Sequence, residues 1–373
     1  YAYKANSSYG ISFDILELQR KTFLLYEWLG LFIKAPFALF KSLPKEAIYV
    51  VEVDCDRPGE GKFLATLLKP EITLWLTSSR THSMNFDEAI QGKKFNSIEK
   101  AVAYEFGNLL AHTSKLAIVN GDSDLIDAEL HRTKAQIKKV CKKDHFQKYQ
   151  ITPLGQTRFR IDGKDYSFNY LLPEDTFYSI KMALELVEYL KVAPDYSFSE
   201  FTLPPGRSSV FKGIKDITIV DSSYNANLDS MRVILDMFNK IPAKIKWAVL
   251  GDMIEQGKSE KEEHEKLAEL LLSYNFDRVI LMGPRLSKYA YPKLETLSSH
   301  FSPLGIQVIE KFINPSEVLE YLQANIQGGE TILFKGARFL EGVVEHLLAD
   351  KEDVKKLCRQ EKVWKIRRKQ WGL

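Results

Sequence analysis

Between Asp221 and Asn227 the chain places one carboxylate, two hydroxyls, a phenol and two amides in Asp221-Ser-Ser-Tyr-Asn-Ala-Asn227. These groups can hydrogen-bond a ribose or orient a phosphate. The segment follows the apolar run Ile217-Thr-Ile-Val220 and leads into the helical spacing Met231, Ile234, Leu235, Phe238. That puts it at the carboxyl end of a buried strand, where α/β proteins hold nucleotides and substrates. Taken alone, an Asx-rich strand-to-helix turn capping its own helix gives the same pattern.

Other chemistry-bearing segments flank it. Glu52 closes the apolar run Ile48-Tyr-Val-Val51 and opens toward Asp56-Arg-Pro-Gly-Glu60, and Thr81-His82 follows. Pro205-Gly-Arg207 lies just upstream, and Leu250-Gly-Asp-Met-Ile-Glu255, His264 and Lys335-Gly-Ala-Arg338 lie downstream. In this order and spacing, from about Asn6 to about Leu348, the chain resembles the Mur ligases, which make an amide from a carboxylate at the expense of ATP.

The resemblance implies ATP and Mg2+ as cofactors, with a UDP-N-acetylmuramoyl-peptide and D-alanyl-D-alanine as the substrates. It makes Glu52 a magnesium ligand and His82 a second metal-site residue, and it groups both with Lys335 as catalytic residues. Arg207, Asp221, Tyr224, Asn225, Asn227 and Thr176 fall at nucleotide-binding positions. Asn6, Asp252, His264 and Arg338 fall at positions that meet the other substrates. An arginine suits phosphate work because its fixed fork of donors stays charged.

The chain also departs from the family. A Gly-x-x-x-x-Gly-Lys-[Ser/Thr] loop does not occur in it, and Gly251-Asp-Met-Ile-Glu-Gln-Gly-Lys-Ser259 has one residue too many between its glycines. Asp252 and Glu255 would also point negative charge at a phosphate, so that segment is rejected as a phosphate loop. Asn6-Ser-Ser-Tyr-Gly10 resembles a turn that follows the family's phosphate loop, which places such a loop upstream of Tyr1. The stretch given is therefore expected to bind ATP poorly by itself. Ala103 stands where the family usually carries a lysine, and Ser222 replaces the second aspartate of its Asp-Asp-x-Tyr-Asn-Ala-Asn motif.

The elements that must carry these residues alternate. Strands are predicted at Ala47–Val53, Ile72–Leu76, Leu116–Val119, Ile217–Val220, Lys246–Leu250, Arg278–Met282, Gln307–Ile309 and Thr331–Phe334, separated by helical patterns. This is the signature of α/β parallel, doubly wound sheets. A hairpin is predicted around Asp162-Gly163 and a helix over Thr176–Leu190, and Ala193–Gly206 reads as a linker. The expected domains are 1–203, 204–350 and a basic tail 351–373. By resemblance the first is a P-loop-NTPase-like parallel sheet truncated at its start, and the second is Rossmann-like.

At 373 residues, with 45% hydrophobic content, the chain can build two or three cores. Its formal net charge of +3 does not call for nucleic acid, and the excess sits in the tail. The apolar stretch Tyr26–Phe40 is interrupted by Glu27, Lys34 and Pro36; it reads as buried helix and turn, not a membrane span. Three scattered cysteines suit neither a disulfide framework nor a zinc site. A cytoplasmic monomer is expected. The rival readings are a non-catalytic scaffold with the same fold, or a related ligase of the folylpolyglutamate synthase kind.

Overall fold

The computed structural model describes residues 6–18, 25–40, 48–80, 83–92, 95–153, 155–300, 306–337 and 339–373. They fall into two compact units, 1–139 and 140–373.

In the first unit, β1 (Ile72–Trp75) pairs in parallel with β2 (Leu116–Asn120), and β3 (Gln136–Val140) completes a sheet of order β1-β2-β3. The helices Glu60–Leu68 and Ile98–His112 approach so closely that a Cβ on Gly61 would lie 2.1 Å from the Glu105 carbonyl oxygen. Only glycine permits that contact. The strand expected at Ala47–Val53 is not formed: among its described residues Val51 alone makes a bridge, and Ile48, Tyr49 and Val50 are exposed. The stretch from Tyr26 does fold as a helix, Leu25–Ala38, but Tyr26, Leu29, Phe32, Ile33 and Phe37 are exposed where burial was expected. Among the described residues, no helix is long and apolar enough to cross a membrane.

The second unit holds two sheets. The small one, β4 (Phe146–Ile151), β5 (Thr157–Ile161) and β6 (Lys164–Phe168), is antiparallel. Thr157, Phe159 and Ile161 are buried while Arg158 and Arg160 are exposed, the alternation of a sheet with one wet face. Its β5–β6 turn has positive φ at both Asp162 and Gly163, as a tight two-residue hairpin requires.

The large sheet has the order β11-β10-β9-β12-β8-β7. Its strands are β7 (Ser209–Lys212), β8 (Thr218–Ser222), β9 (Lys246–Gly251), β10 (Arg278–Met282), β11 (Val308–Phe312) and β12 (Thr331–Lys335). The five from β8 to β12 run parallel, and β7 is an antiparallel edge that the sequence reading did not foresee. Successive residues serve opposite cores. Val220, Ala248, Leu250 and Leu333 face the helices Leu228–Asn239 and Glu260–Leu271, while Ile219, Trp247, Val249, Ile332 and Phe334 face Pro315–Asn325 and Leu340–Leu347. This is the doubly wound arrangement expected.

Ile151 and Leu171 join the first of these cores, and Lys240 reaches back to Glu174 at 2.7 Å. The small sheet is thereby grouped with residues 204–350, and the compact units divide at Lys139/Val140. The linker packs as well, with Phe198 and Phe201 against Phe168 at ring distances of 5.5 and 5.7 Å.

Candidate active site

The carboxyl ends of β8, β9 and β12 lie side by side in the second unit, where the strand order reverses, the position at which open α/β sheets generally hold ligands. Asp221 is fully buried at the end of β8. One oxygen accepts the Ser223 N–H at 3.0 Å, and the other has no hydrogen-bond partner. Burial raises its carboxyl pKa, opposed by the Ser223 hydrogen bonds and by the charges of Arg359 and Lys335.

Tyr224 follows, exposed, with the Arg207 guanidinium 4.5 Å from its ring centre. Such stacking orients an arginine without consuming its donors. Gly206 makes this possible. Its φ is +71, its carbonyl accepts the Tyr224 N–H at 3.3 Å, and a Cβ there would approach Tyr224 to 3.2 Å. Asn225 turns its own side chain to the Ala226 N–H at 2.8 Å. Asn227 is the N-cap of Leu228–Asn239, where it accepts the Ser230 N–H at 2.8 Å while Ser230 Oγ accepts the Asn227 N–H at 3.0 Å. The capping alternative therefore describes Asn227, whereas Tyr224 and Arg207 are exposed and Asn225 is half-buried.

Lys335 ends β12, almost fully buried, and its Nζ donates to the Asn225 carbonyl at 2.6 Å. Burial, reinforced by the Arg207 charge, lowers its pKa from 10.5 to about 7, against the pull of Asp221. The folded value lies below the unfolded one, so between these two pH values the unfolded chain holds the extra proton and stability rises with pH through the window. Lys335→Met should remove that slope. Urea unfolding of both proteins from pH 7 to 10 checks it, and parallel stability–pH curves would refute the burial argument.

The loops after β9 and β12 touch backbone to backbone. A Cβ on Gly336, whose φ is +142, would sit 2.4 Å from both Gly251 N and Gly251 Cα. Asp252 is fully buried beside them, accepting the N–H groups of Arg285 at 3.1 Å and Leu286 at 3.0 Å and pairing with the Arg285 guanidinium at 3.4 Å. Arg285 also pairs with Glu260. His264, also fully buried, donates from Nδ1 to the Glu260 carbonyl at 2.7 Å and accepts the Met253 N–H on Nε2 at 3.3 Å. Burial lowers its pKa, consistent with a neutral ring. Both side chains are thus occupied in fixing the Leu-Gly-Asp-Met loop. Arg285 was missed, although Gly283-Pro-Arg285 directly after β10 is a sequence signal of the same strand-end kind.

Thr176 opens the helix Thr176–Tyr189 and donates its N–H to the Pro173 carbonyl at 3.0 Å. The adjoining Asp175 and Glu174 hold Lys142 at 2.7 and 3.1 Å.

In the first unit the Asn6 carbonyl accepts the Asp54 N–H at 3.0 Å. Glu60, buried, ties the same two segments by accepting the Ser8 N–H at 3.1 Å and the Asp56 N–H at 3.0 Å. Glu52 is exposed. A magnesium ion delivered on nucleotide phosphates needs only one or two protein carboxylates. Glu52 is one exposed carboxylate, and no group of three or more His, Cys, Asp or Glu side chains that could cage an ion occurs among the described residues. His82 and Arg338 lie outside the described residues.

Residues 206–338 match the family described as Mur ligase, glutamate ligase domain. The chain is 23% identical over 331 residues to the UDP-N-acetylmuramoyl-tripeptide--D-alanyl-D-alanine ligase of Rickettsia prowazekii, covering 83% of this chain and 67% of that protein. Its counterpart from a Synechocystis species is 27% identical over 333 residues, covering 85% and 66%. The chain thus spans about two thirds of the length of these relatives. Among solved structures, the MurF ligase of Thermotoga maritima in complex with ADP superposes with a TM-score of 0.68 at 20% identity, covering 93% of this chain and 77% of that one. MurF from Acinetobacter baumannii gives 0.68 at 21% identity, covering 84% and 68%. The fold is that of these ligases.

Proposed function

We propose that this chain, whose residues 206–338 match the Mur ligase, glutamate ligase domain, acts as an ATP-dependent ligase that joins D-alanyl-D-alanine to a UDP-N-acetylmuramoyl-tripeptide. The observation that carries the reading is the exposed Arg207 stacked on Tyr224 beside buried Lys335, at a strand end within the matched residues 206–338. It is a cationic, pre-oriented platform suited to phosphate oxygens.

In the proposed reaction a carboxylate oxygen of the peptide attacks the γ-phosphorus of ATP, giving an acyl phosphate and ADP. The dipeptide amine then adds to the acyl carbon, loses a proton, and the tetrahedral intermediate expels phosphate to leave the amide. Arg207 would hold phosphate oxygens, and Tyr224 and Asn225 would face the nucleotide. Lys335 fixes Asn225 and adds positive potential where negative charge develops. Bound magnesium, with Glu52 as one ligand, would neutralise the triphosphate. His82 is assigned to the same metal site, Thr176 to the nucleotide, and Asn6 and Arg338 to the other substrates. The proposal also includes a family domain boundary near residue 203, a basic tail from 351, and a cytoplasmic monomer.

Phosphate release in the presence of UDP-N-acetylmuramoyl-tripeptide, D-alanyl-D-alanine, ATP and magnesium tests the reading. Glu52→Gln keeps size and one oxygen but removes the charge a hard dication requires, so turnover should fall at least about 100-fold with an unchanged melting curve. Unchanged turnover removes Glu52 from the mechanism. Nucleotide binding with no phosphate release in the parent would favour the non-catalytic scaffold, and release only with another acid would favour a related ligase.

A further inference from the structure

The tail from Lys351 lies beyond the matched domain, yet it reaches the loop after β8. Leu357 and Cys358 are buried, and Cys358 Sγ lies 3.7 Å from Ser223 Oγ. Next comes Arg359, with φ +56, between the turn Lys351–Lys356 and the helix Lys362–Lys369. Its Nη2 donates to the Tyr224 carbonyl at 2.6 Å and its Nη1 to the Ser223 carbonyl at 3.4 Å. Nη1 also lies 3.6 Å from a carboxylate oxygen of Glu341, which is fully buried. Lys335 holds the next carbonyl, that of Asn225. Three consecutive carbonyls, 223 to 225, are thus gathered by two cations. Tyr224 has the Arg359 guanidinium 5.5 Å and the Arg207 guanidinium 4.5 Å from its ring centre. Downstream the tail is anchored by Arg368, which pairs with Glu345 at 3.1 Å.

We propose that Arg359 is a positioning residue: the tail acts as a strap that holds the Ser223–Asn225 backbone, so that Tyr224 and Asn225 meet the nucleotide already in place. This rests on the ligase reading above. A loop whose carbonyls are fixed presents its side chains without paying ordering entropy when ligand arrives. Releasing it should weaken nucleotide use and leave the chemical step largely intact.

The test uses the complete protein with R359A, R359K and R359A/E341Q. The double variant is needed because R359A strands the buried Glu341 charge. Hydrogen exchange of the segment 223–227 is followed beside that of β9 to β12, together with KM for ATP and kcat. In the alanine variants exchange of 223–227 should accelerate at least about tenfold with the sheet unchanged. KM for ATP should rise about tenfold with kcat within about threefold. Millimolar guanidinium should restore both. R359K keeps the pairing with Glu341 but cannot span two carbonyls as a fork does, so it should show a smaller effect of the same kind, and it decides the matter should the alanine variants not fold. Unchanged exchange overturns the strap, and faster exchange with unchanged KM overturns the positioning role. A parent with no ATP-dependent turnover sinks the ligase reading, while the exchange comparison still decides the strap.

Discussion

Lys335→Met is expected to lower kcat/KM for amide formation by about 10²- to 10³-fold, the range seen when one pre-organised donor is removed from a charged reaction centre. Methionine keeps the buried stem volume and removes the cost of burying an ionisable amine, so near neutral pH the variant should melt no lower than the parent. What is lost is the 2.6 Å hydrogen bond to the Asn225 carbonyl and a positive charge that acts on Asp221. These two contributions separate by pH. The neutral amine still donates a hydrogen bond, but it carries no charge, and Lys335 changes from one form to the other near pH 7. If charge dominates, activity in the parent declines above that pH while the residual activity of the variant lacks the decline. A pH–rate profile from 6 to 9 on both proteins reads this directly. Residual activity in the variant within threefold of the parent would show that Lys335 serves the loop's folding alone.

The same residue shows which parts of the molecule were legible in the sequence. β8, β9, β10 and β12 are buried on both faces, so their apolar runs are almost unbroken and their ends mark where polar side chains emerge. Asp221 and Lys335 could be placed from that signal alone. β7 and β3 were missed because edge strands are half exposed: Val210 faces solvent, and Gln136-Ile-Lys-Lys139 is mostly polar. The opposite error arose at Ala47–Val53, where apolar residues suggested a strand but Ile48, Tyr49 and Val50 are exposed. Composition identifies residues able to form a ladder, and only the neighbouring strand decides whether one forms.

Roles were harder to read than positions. Asp252 and His264 stand where strand-end chemistry was expected, but their polar atoms are consumed by backbone groups of Met253, Arg285, Leu286 and Glu260. A sequence shows a carboxylate or an imidazole without showing which of its atoms are already engaged. Arg359 was not legible at all. It is one cation in a basic tail, and its contact with Tyr224 spans 135 residues. Local pattern carries no information about such a return.

The glycines of Leu-Gly-Asp-Met and Lys-Gly-Ala provide a sharper test, because their role is steric. Gly336→Ala is expected to destabilise the second unit by more than about 3 kcal/mol, the sum of a disfavoured backbone region and an overlap with backbone atoms. The new Cβ would lie 2.4 Å from Gly251 N and Cα, and neither partner can retreat easily, since Lys335 and Leu250 are in register on adjacent strands. Gly251 is constrained in turn, with a Cβ there falling 2.5 Å from the Ala337 carbonyl oxygen. Gly329 supplies the control: its φ is +82 but nothing lies within 4 Å of its added Cβ, so Gly329→Ala should cost only about 1 kcal/mol from backbone strain. Urea unfolding of both variants measures the difference. A clear gap would mean that these two motif glycines let the β9 and β12 loops touch, bringing Lys335 and the Asp252 loop to one strand-end crevice. Equal costs would show that the loops have room to part, and that their close contact does not set the geometry of the site.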